Sequence, residues 1–352
     1  MSVRERQRCS VVSSVSSTRG QCRVATCRGA GTLKAAVYET NGDPEVLRYQ
    51  DIADPVVGPG DVLIAVEAIS VEGGDIRHRR LVAAAEAHVV GYAAAGVVRA
   101  VGIGVQRFVI GQRVTAFNWS GSHAEFWLVP VDFVFAVPND LSLEVAATIP
   151  VAFGTAHDAL FEFGKLTTGQ TVLVRGAAGG VGIAAIQLAK SAGASVIATS
   201  SSDEQGRQLC RVGADHVVNY STDDTPASVL AITDGVGVDL MVDMAGGADL
   251  PVLFGALRRR GRVSAVGMSA GQPILSYMDL ISRLLTISGI SFGTEMHLPR
   301  ARTIVEHCLQ RAAEGDLTMP IDRRFRLDDA AAAHRYAEFG RPFGRVVIVP
   351  VG

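Results

Sequence analysis

Residues 172–182 read VLVRGAAGGVG. A β-branched run ends at Arg175 and gives way to glycine and alanine. That is how a strand turns into a helix around something negatively charged. The loop fits Ala177-x-Gly179-x-x-Gly182, and from Gly176 it also reads G-x-x-G-x-x-G. Glycine is needed where such a turn is tight, where backbone approaches a pyrophosphate, and where helix meets strand closely. The helix N-terminus adds free N–H groups and a partial positive charge. Ala178, Gly179, Gly180, Val181 and Gly182 are therefore the expected dinucleotide contacts. The competing reading is a tight packing turn with no ligand. The full strand–helix–strand setting favours the dinucleotide.

The next strand chooses between dinucleotides. An NAD site usually ends it with Asp or Glu, which bonds the ribose 2′-OH. Here SVIATSSS ends in Ser200, Ser201 and Ser202, and the first acids, Asp203 and Glu204, come later. Ser201-x-x-Glu204 reads as a capping box for the following helix rather than as a ribose ligand. With no acid to repel a 2′-phosphate, Ser200 and Ser201 can bond it, and Arg207 and Tyr220 are placed to help. The expected cofactor is NADPH. Gly267, in GRVSAVGM, is a further expected cofactor contact.

Around the loop, strands and helices alternate. TVLVR precedes a helix at 181–192, SVIATS a helix at 203–212, and HVVNY follows. VDLMVDMA (238–245) precedes a helix near 250–258, then GRVSAVGM (261–268). This predicts an α/β fold with a doubly wound parallel sheet of the Rossmann type. The front differs: LKAAVYE, DVLIAVEAISV, AGVVRAVG and QRVTAF are short strands with glycine turns and few helical periods, the pattern of a small β-barrel. The expected division is residues 1–31 as a disordered extension, 32–150 as the first part of the catalytic domain, 151–292 as the dinucleotide domain, and 293–352 completing the catalytic domain. The Arg- and Ser-rich start, MSVRERQRCSVVSSVSSTRGQCRVATCRGAG, has no period; a transit peptide is the competing reading. Its Cys22 and Cys27 have no second pair at metal-binding spacing.

The 352 residues allow two sizeable cores, and with 48% hydrophobic and 19% charged residues most of the chain should pack. A formal net charge of −2 implies no basic face and argues against nucleic acid or an anionic membrane as partner. The nearest approach to a membrane span, 81–98, is broken by Glu86 and His88. Five cysteines, three of them before residue 28, make no disulfide framework and suit a reducing cytoplasm.

From Leu33 to Pro350 the chain resembles the zinc-independent quinone oxidoreductase branch of the medium-chain dehydrogenase/reductases. The matching stretches include GDPEVLRYQD, GPGDVLIAVEA, AGVVRAVGIGVQRFVIGQRV, VLVRGAAGGVGIAAIQLAK, GADHVVNY and PFGRVVIVP. The resemblance implies a GroES-like β-barrel catalytic domain around the Rossmann domain, NADPH in the cleft between them, and a homodimer through the strand TISGISF at 286–292. Zinc-dependent relatives carry Gly-His-Glu where this chain has Gly91-Tyr92-Ala93, and residues 82–137 hold no cysteine. No metal is therefore expected. Three positions depart from the branch: Glu72 replaces an asparagine, Ala152 a threonine, and Gln205 a lysine.

Hydride transfer to a quinone, or to an alkene conjugated with a carbonyl, needs no nucleophile and no metal. Proximity supplies much of the rate, and a donor near the developing oxyanion helps. Glu72, as a proton shuttle, and His123, as a donor to the substrate oxygen, are the candidate catalytic residues. A cleft-mouth acid and a surface-loop histidine are the competing readings. Asp75, Asn118 and His157 are further cleft candidates, with Trp119 and Phe153 as an apolar wall. The leading function is an NADPH-dependent quinone reductase. The alternatives are a double-bond reductase of enones or enoyl thioesters, and an NADPH-binding protein without activity.

Overall fold

The computed structural model describes residues 31–84 and 86–350. The expected extension, Gly31 apart, lies outside the described residues, as do Cys22 and Cys27. The front of the chain folds as β1 (Thr32–Tyr38), β2 (Arg48–Ala53), β3 (Asp61–Ser70), helix α1 (Gly73–Leu81), β4 (His88–Val89), β5 (Ala93–Val101), β6 (Arg113–Phe117), β7 (Phe126–Pro130) and β8 (Val134–Ala136). Helix α2 (Leu143–His157) leads to β9 (Thr171–Arg175), α3 (Gly180–Ser191), β10 (Ser195–Ser200), α4 (Asp203–Arg211), β11 (His216–Asn219), α5 (Thr225–Ile232), β12 (Val238–Asp243), α6 (Leu250–Leu253), β13 (Leu257–Ala265), α7 (Tyr277–Ile281) and β14 (Thr286–Gly289). The tail adds α8 (Phe292–Glu295), α9 (Pro299–Ala313), β15 (Ile321–Arg326), α10 (Ala330–Phe339) and β16 (Arg345–Val349).

Strands β11-β10-β9-β12-β13-β14 form a six-stranded sheet, parallel throughout. Counted from β9 the order is 3-2-1-4-5-6, the doubly wound arrangement. Val172–Val174, Val196–Ala198 and Leu240–Val242 are buried without alternation, as strands covered by helices on both faces must be. The order reverses between β9 and β12, where Arg175 lies opposite Asp243 at the carboxyl ends. Ligands of such sheets bind at that switch point.

The front forms a largely antiparallel sheet, β15-β16-β3-β5-β6-β8, with β7 also on β3. Val347 of β16 pairs with Ser70 of β3, so the C-terminal strand returns to the front domain. Along β3 buried and half-buried residues alternate, the mark of a strand with one face inward. Helix α2 starts at Ser142, whose hydroxyl accepts from the Val145 N–H at 3.3 Å. Its apolar faces join residues of both sheets, Ala95 and Phe117 with Val172 and Val174, into one core.

Two elements differ from expectation. Helix α1 forms in a front domain where helical periods are scarce. Its sequence, GGDIRHRRL, has no apolar stripe; Arg79 is fully buried and pairs with Glu338 at 2.5 Å, which anchors the helix to α10. The strand expected at 261–268 begins earlier: α6 runs on into a 3₁₀ turn at Phe254–Ala256, and β13 starts at Leu257.

Candidate active site

The glycine loop gives each glycine a separate physical reason. Gly176 has φ +75°, a left-handed conformation that glycine adopts without strain. At Gly182 a Cβ would lie 2.5 Å from the Ala177 carbonyl, so the helix can pack closely only without one. At Gly179 a Cβ would meet nothing closer than 3.7 Å, so the space beside the α3 N-cap is open. No side chain caps this helix. Open space, exposed backbone and an uncapped N-terminus at a switch point together fit a diphosphate. Ala178 accepts from the Gly344 N–H at 2.8 Å, which docks the tail on the loop. Gly267 donates to the Asp243 carbonyl at 3.2 Å and packs on Met244.

Sequence reasoning missed the residue that organises this end of the sheet. Arg175 is buried and holds Asp243 at 3.1 Å, both oxygens of Asp249 at 2.8 Å, and the Gly246 carbonyl. It clamps the loop after β12 across the switch point. An arginine ending an apolar strand beside a glycine loop was the available signal.

The end of β10 corrects three details. Ser202, not Ser201, caps α4, and its hydroxyl accepts from the Gln205 N–H at 3.3 Å. Gln205 in turn accepts from the Ser201 N–H at 3.0 Å. The cap is thus one residue later than Ser201-x-x-Glu204, and the reciprocal half of a box is not made, because Gln205 bonds the residue before the cap. Arg207 is exposed and tied to Glu204 at 2.5 Å, which holds it on the outer face of α4. Ser200 is enclosed, its hydroxyl without a partner, while the Tyr220 N–H bonds its carbonyl at 3.0 Å and the Tyr220 ring stands in solvent. Ser201, Ser202 and Gln205 line an open pocket of about 280 Å³ with Arg341 and Phe343 of the tail, and the carboxylates of Glu204 and Asp322 line it too. Arg341 is exposed, has φ +51°, and makes no ion pair among the described residues. A larger pocket, about 360 Å³, opens at the opposite, amino-terminal end of the sheet around Thr171, Ser195 and Asp239.

Between loop and barrel lies a buried polar cluster. Arg345 presses on Gly180, where a Cβ would sit 2.0 Å from its Nε, and its Nη2 lies 2.5 Å from Glu72 Oε2. This is charge contact rather than an aligned hydrogen bond, and Nε has no acceptor. Glu72 Oε1 accepts from the Ser70 hydroxyl at 2.8 Å. The Glu72 N–H donates to Asp75 Oδ2 at 2.8 Å, and Asp75 Oδ1 is buried with no partner. Burial raises the Glu72 pKa while Arg345 opposes the rise. Asp75 is raised well above the usual carboxylate range, mainly by burial, with nearby Glu72 adding to it. At 2% exposure Glu72 is no cleft-mouth acid, and its carboxylate is already engaged.

His123 is fully buried, which removes the surface-loop reading. Its Nε2 lies 3.1 Å from His334 Nε2 and its Nδ1 3.3 Å from the Ser122 hydroxyl. Both ring nitrogens are used by neighbouring side chains, and burial lowers the pKa to about 3. The donor role is corrected accordingly. The histidines that look scattered in sequence also pair in space: His78 and His88 rings are 5.1 Å apart. Among the described residues no three His, Cys, Asp or Glu groups converge as metal ligands. Asn118 accepts from the Trp119 N–H at 2.8 Å. Trp119 is 60% exposed and edge-on to Phe117, so it can form a wall; Phe153 is core. His157 ends α2 with its ring on Phe161.

Comparison with known proteins agrees with this architecture. Residues 58–139 match the alcohol dehydrogenase GroES-like domain and residues 180–307 the zinc-binding dehydrogenase family. A 2-haloacrylate reductase from Burkholderia sp. is 33% identical over 335 residues, 90% of this chain and 99% of that protein. The chain belongs to the quinone oxidoreductase branch of the medium-chain dehydrogenase/reductases. This is a branch of oxidoreductases. A quinone oxidoreductase from Pseudomonas aeruginosa is 28% identical over 90% of this chain and 99% of its own. The structure of mycobacterial Rv1454c complexed with NADPH superposes with a TM-score of 0.84 at 30% identity, over 90% of this chain and all of that one.

Proposed function

We propose that the protein is an NADPH-dependent reductase of carbonyl-conjugated double bonds, with quinones as the leading substrate class. The observation that carries this is the site at the switch point: an open glycine loop after β9 and, on the adjacent parallel strand β10, an end whose residues 200–202 are all serine. Ala178, Gly179, Gly180, Val181 and Gly182 hold the diphosphate, and Gly267 packs beneath the loop after β12. Ser201, Ser202, Gln205 and Arg341 hold the 2′-phosphate, with Ser200 behind them and Tyr220 at the rim. Arg207 is outside this set. The cofactor supplies a hydride; the chain's own task is to bind, orient and stabilise charge on the acceptor. Glu72 acts by holding Arg345 against the loop.

Reduction of the double bond of enones or enoyl thioesters is the second reading, favoured by the likeness to the haloacrylate reductase. Tyr92 and Ala93 stand where zinc-dependent relatives place ligands, so the activity is metal-independent in this proposal. The unpaired edge of β14, beside exposed Tyr277, Met278 and Ile281, supports a homodimer, which sedimentation would check. Among the described residues no helix is long and apolar enough to cross a membrane, and Cys308 and Cys210 are free thiols, which suits a cytoplasmic setting. The test is NADPH and NADH oxidation by the purified protein across quinones and enones, with and without chelator. NADPH turnover with at least one class supports the proposal; binding without turnover on either class would reject enzymatic function.

A further inference from the structure

The strand β5 begins beside Tyr92, and this tyrosine has a use that the reading above leaves open. Its hydroxyl accepts the Gly74 N–H, at the start of α1, at 3.2 Å. Its own hydrogen has no acceptor among the described residues. The ring is partly buried and lies edge-on to Phe117, 5.7 Å between centroids. Phe117 lies edge-on to Trp119, and both pack against Gly293. Contacts therefore run from the glycine loop through Arg345, Glu72 and Gly74 to Tyr92 and the aromatic wall.

The neighbouring glycine makes this placement possible. At Gly74 a Cβ would lie 2.4 Å from the Tyr92 hydroxyl oxygen, so any side chain there would push the tyrosine away. Gly73, beside it, has nothing within 4 Å of its own Cβ position. The stretch Glu72-Gly73-Gly74-Asp75 thus starts α1 with a capping box between its two acids and two glycines between them, on the second of which the Tyr92 hydroxyl is set.

We propose that Tyr92 is a catalytic residue that donates a hydrogen bond from its hydroxyl to the acceptor's carbonyl oxygen as that oxygen gains negative charge. The inference rests on the reductase reading. The acceptor takes a hydride, its oxygen becomes an oxyanion or enolate held by Tyr92, and water supplies the one proton that completes reduction. Tyr92 keeps its own proton throughout. Burial and the nearby Glu72 and Asp75 carboxyls push its pKa well above that of free tyrosine, so it remains a donor over the working range. A preorganised donor aimed at developing charge stabilises the transition state more than the ground state.

The experiment compares wild type, Tyr92→Phe, Gly74→Ala and the double variant, with NADPH and one quinone and one enone. Removing one such donor typically lowers kcat about 10²–10³-fold. Tyr92→Phe should do so with the NADPH dissociation constant and melting temperature unchanged and KM moved far less than kcat. Gly74→Ala should lower kcat at least about tenfold by displacing the hydroxyl, and should add nothing further in the Tyr92→Phe background. If the wild type turns over neither acceptor, the reductase reading fails. If it turns over and Tyr92→Phe retains kcat within about twofold, or the two substitutions are additive, Tyr92 is not the donor.

Discussion

Glu72 at the N-cap of α1 and Arg345 on β16 face each other, 2.5 Å apart and both more than nine-tenths buried, beside Gly180 of the glycine loop. They lie 273 positions apart in the chain and meet because β16 returns to β3. Breaking a buried pair leaves an uncompensated charge, at about 3–5 kcal/mol, whereas replacing both partners is often close to neutral. Glu72→Leu alone should therefore lower the urea midpoint strongly. Adding Arg345→Leu should recover most of the loss. If Glu72 instead shuttles protons, Glu72→Gln would erase one limb of the pH–kcat profile; the positioning role predicts that the limb stays.

Gly179→Ala separates a ligand cradle from a packing turn. The backbone there has φ −78°, which alanine adopts freely, and the Cβ would enter open space. The free protein should keep its melting temperature. The methyl group would occupy the approach of the diphosphate, so NADPH affinity should fall at least tenfold, about 1.4 kcal/mol. Fluorescence titration with NADPH measures this, and unchanged affinity would restore the bare packing turn.

Arg341 and Arg207 give opposite expectations. Arg341 lines the serine pocket and has no ion pair among the described residues, while Arg207 is spent on Glu204. A charge-assisted contact to phosphate contributes about 1.5–3 kcal/mol, roughly ten- to a hundredfold. Arg341→Ala should reduce kcat/KM for NADPH by that factor and leave NADH nearly untouched. Arg207→Ala should change neither by more than about twofold. A wild type that prefers NADH, or an Arg207 effect exceeding that of Arg341, would relocate the seat.

Local signals in the sequence were legible where they were redundant. The loop at 176–182 combines a preceding β-branched strand, four glycines and a following helix, and β10 falls on residues 195–200 as expected. The cap of α4 was ambiguous because Ser201-x-x-Glu204 and Ser202-x-x-Gln205 are both acceptable boxes one residue apart. Helix α1 was hidden because its stability comes from Arg79 reaching Glu338, 259 positions away, and not from an apolar stripe. The same holds for the site. Arg341 and Arg345 reach it only through the tail's return, and no spacing rule connects His123 with His334. Tyr92 was legible as a missing metal ligand, but its partner Gly74 required the fold.

The buried pair His123–His334 should make stability depend on pH in a defined direction. Burial lowers His123 to about 3 and His334 well below its ordinary value, with the Arg79 guanidinium and the facing ring adding to the second shift. In the unfolded chain both titrate near 6.5. The folded state therefore holds them neutral while the unfolded state gains protons below that pH. The contribution is fully present above about 6.5 and is lost as pH falls from there towards about 3. Each histidine contributes up to about 1.4 kcal/mol per pH unit, so two lose roughly 4 kcal/mol between pH 7 and 5. Asp75 and Glu72 are shifted upward and oppose this trend, so the wild-type slope alone is not diagnostic. The comparison with His334→Gln isolates the pair, because the carboxyls are common to both proteins. Urea unfolding at pH 7 and pH 5 should show the variant losing about 2 kcal/mol less than wild type over that interval. Equal losses in the two proteins would mean that the histidines do not remain neutral in the folded state.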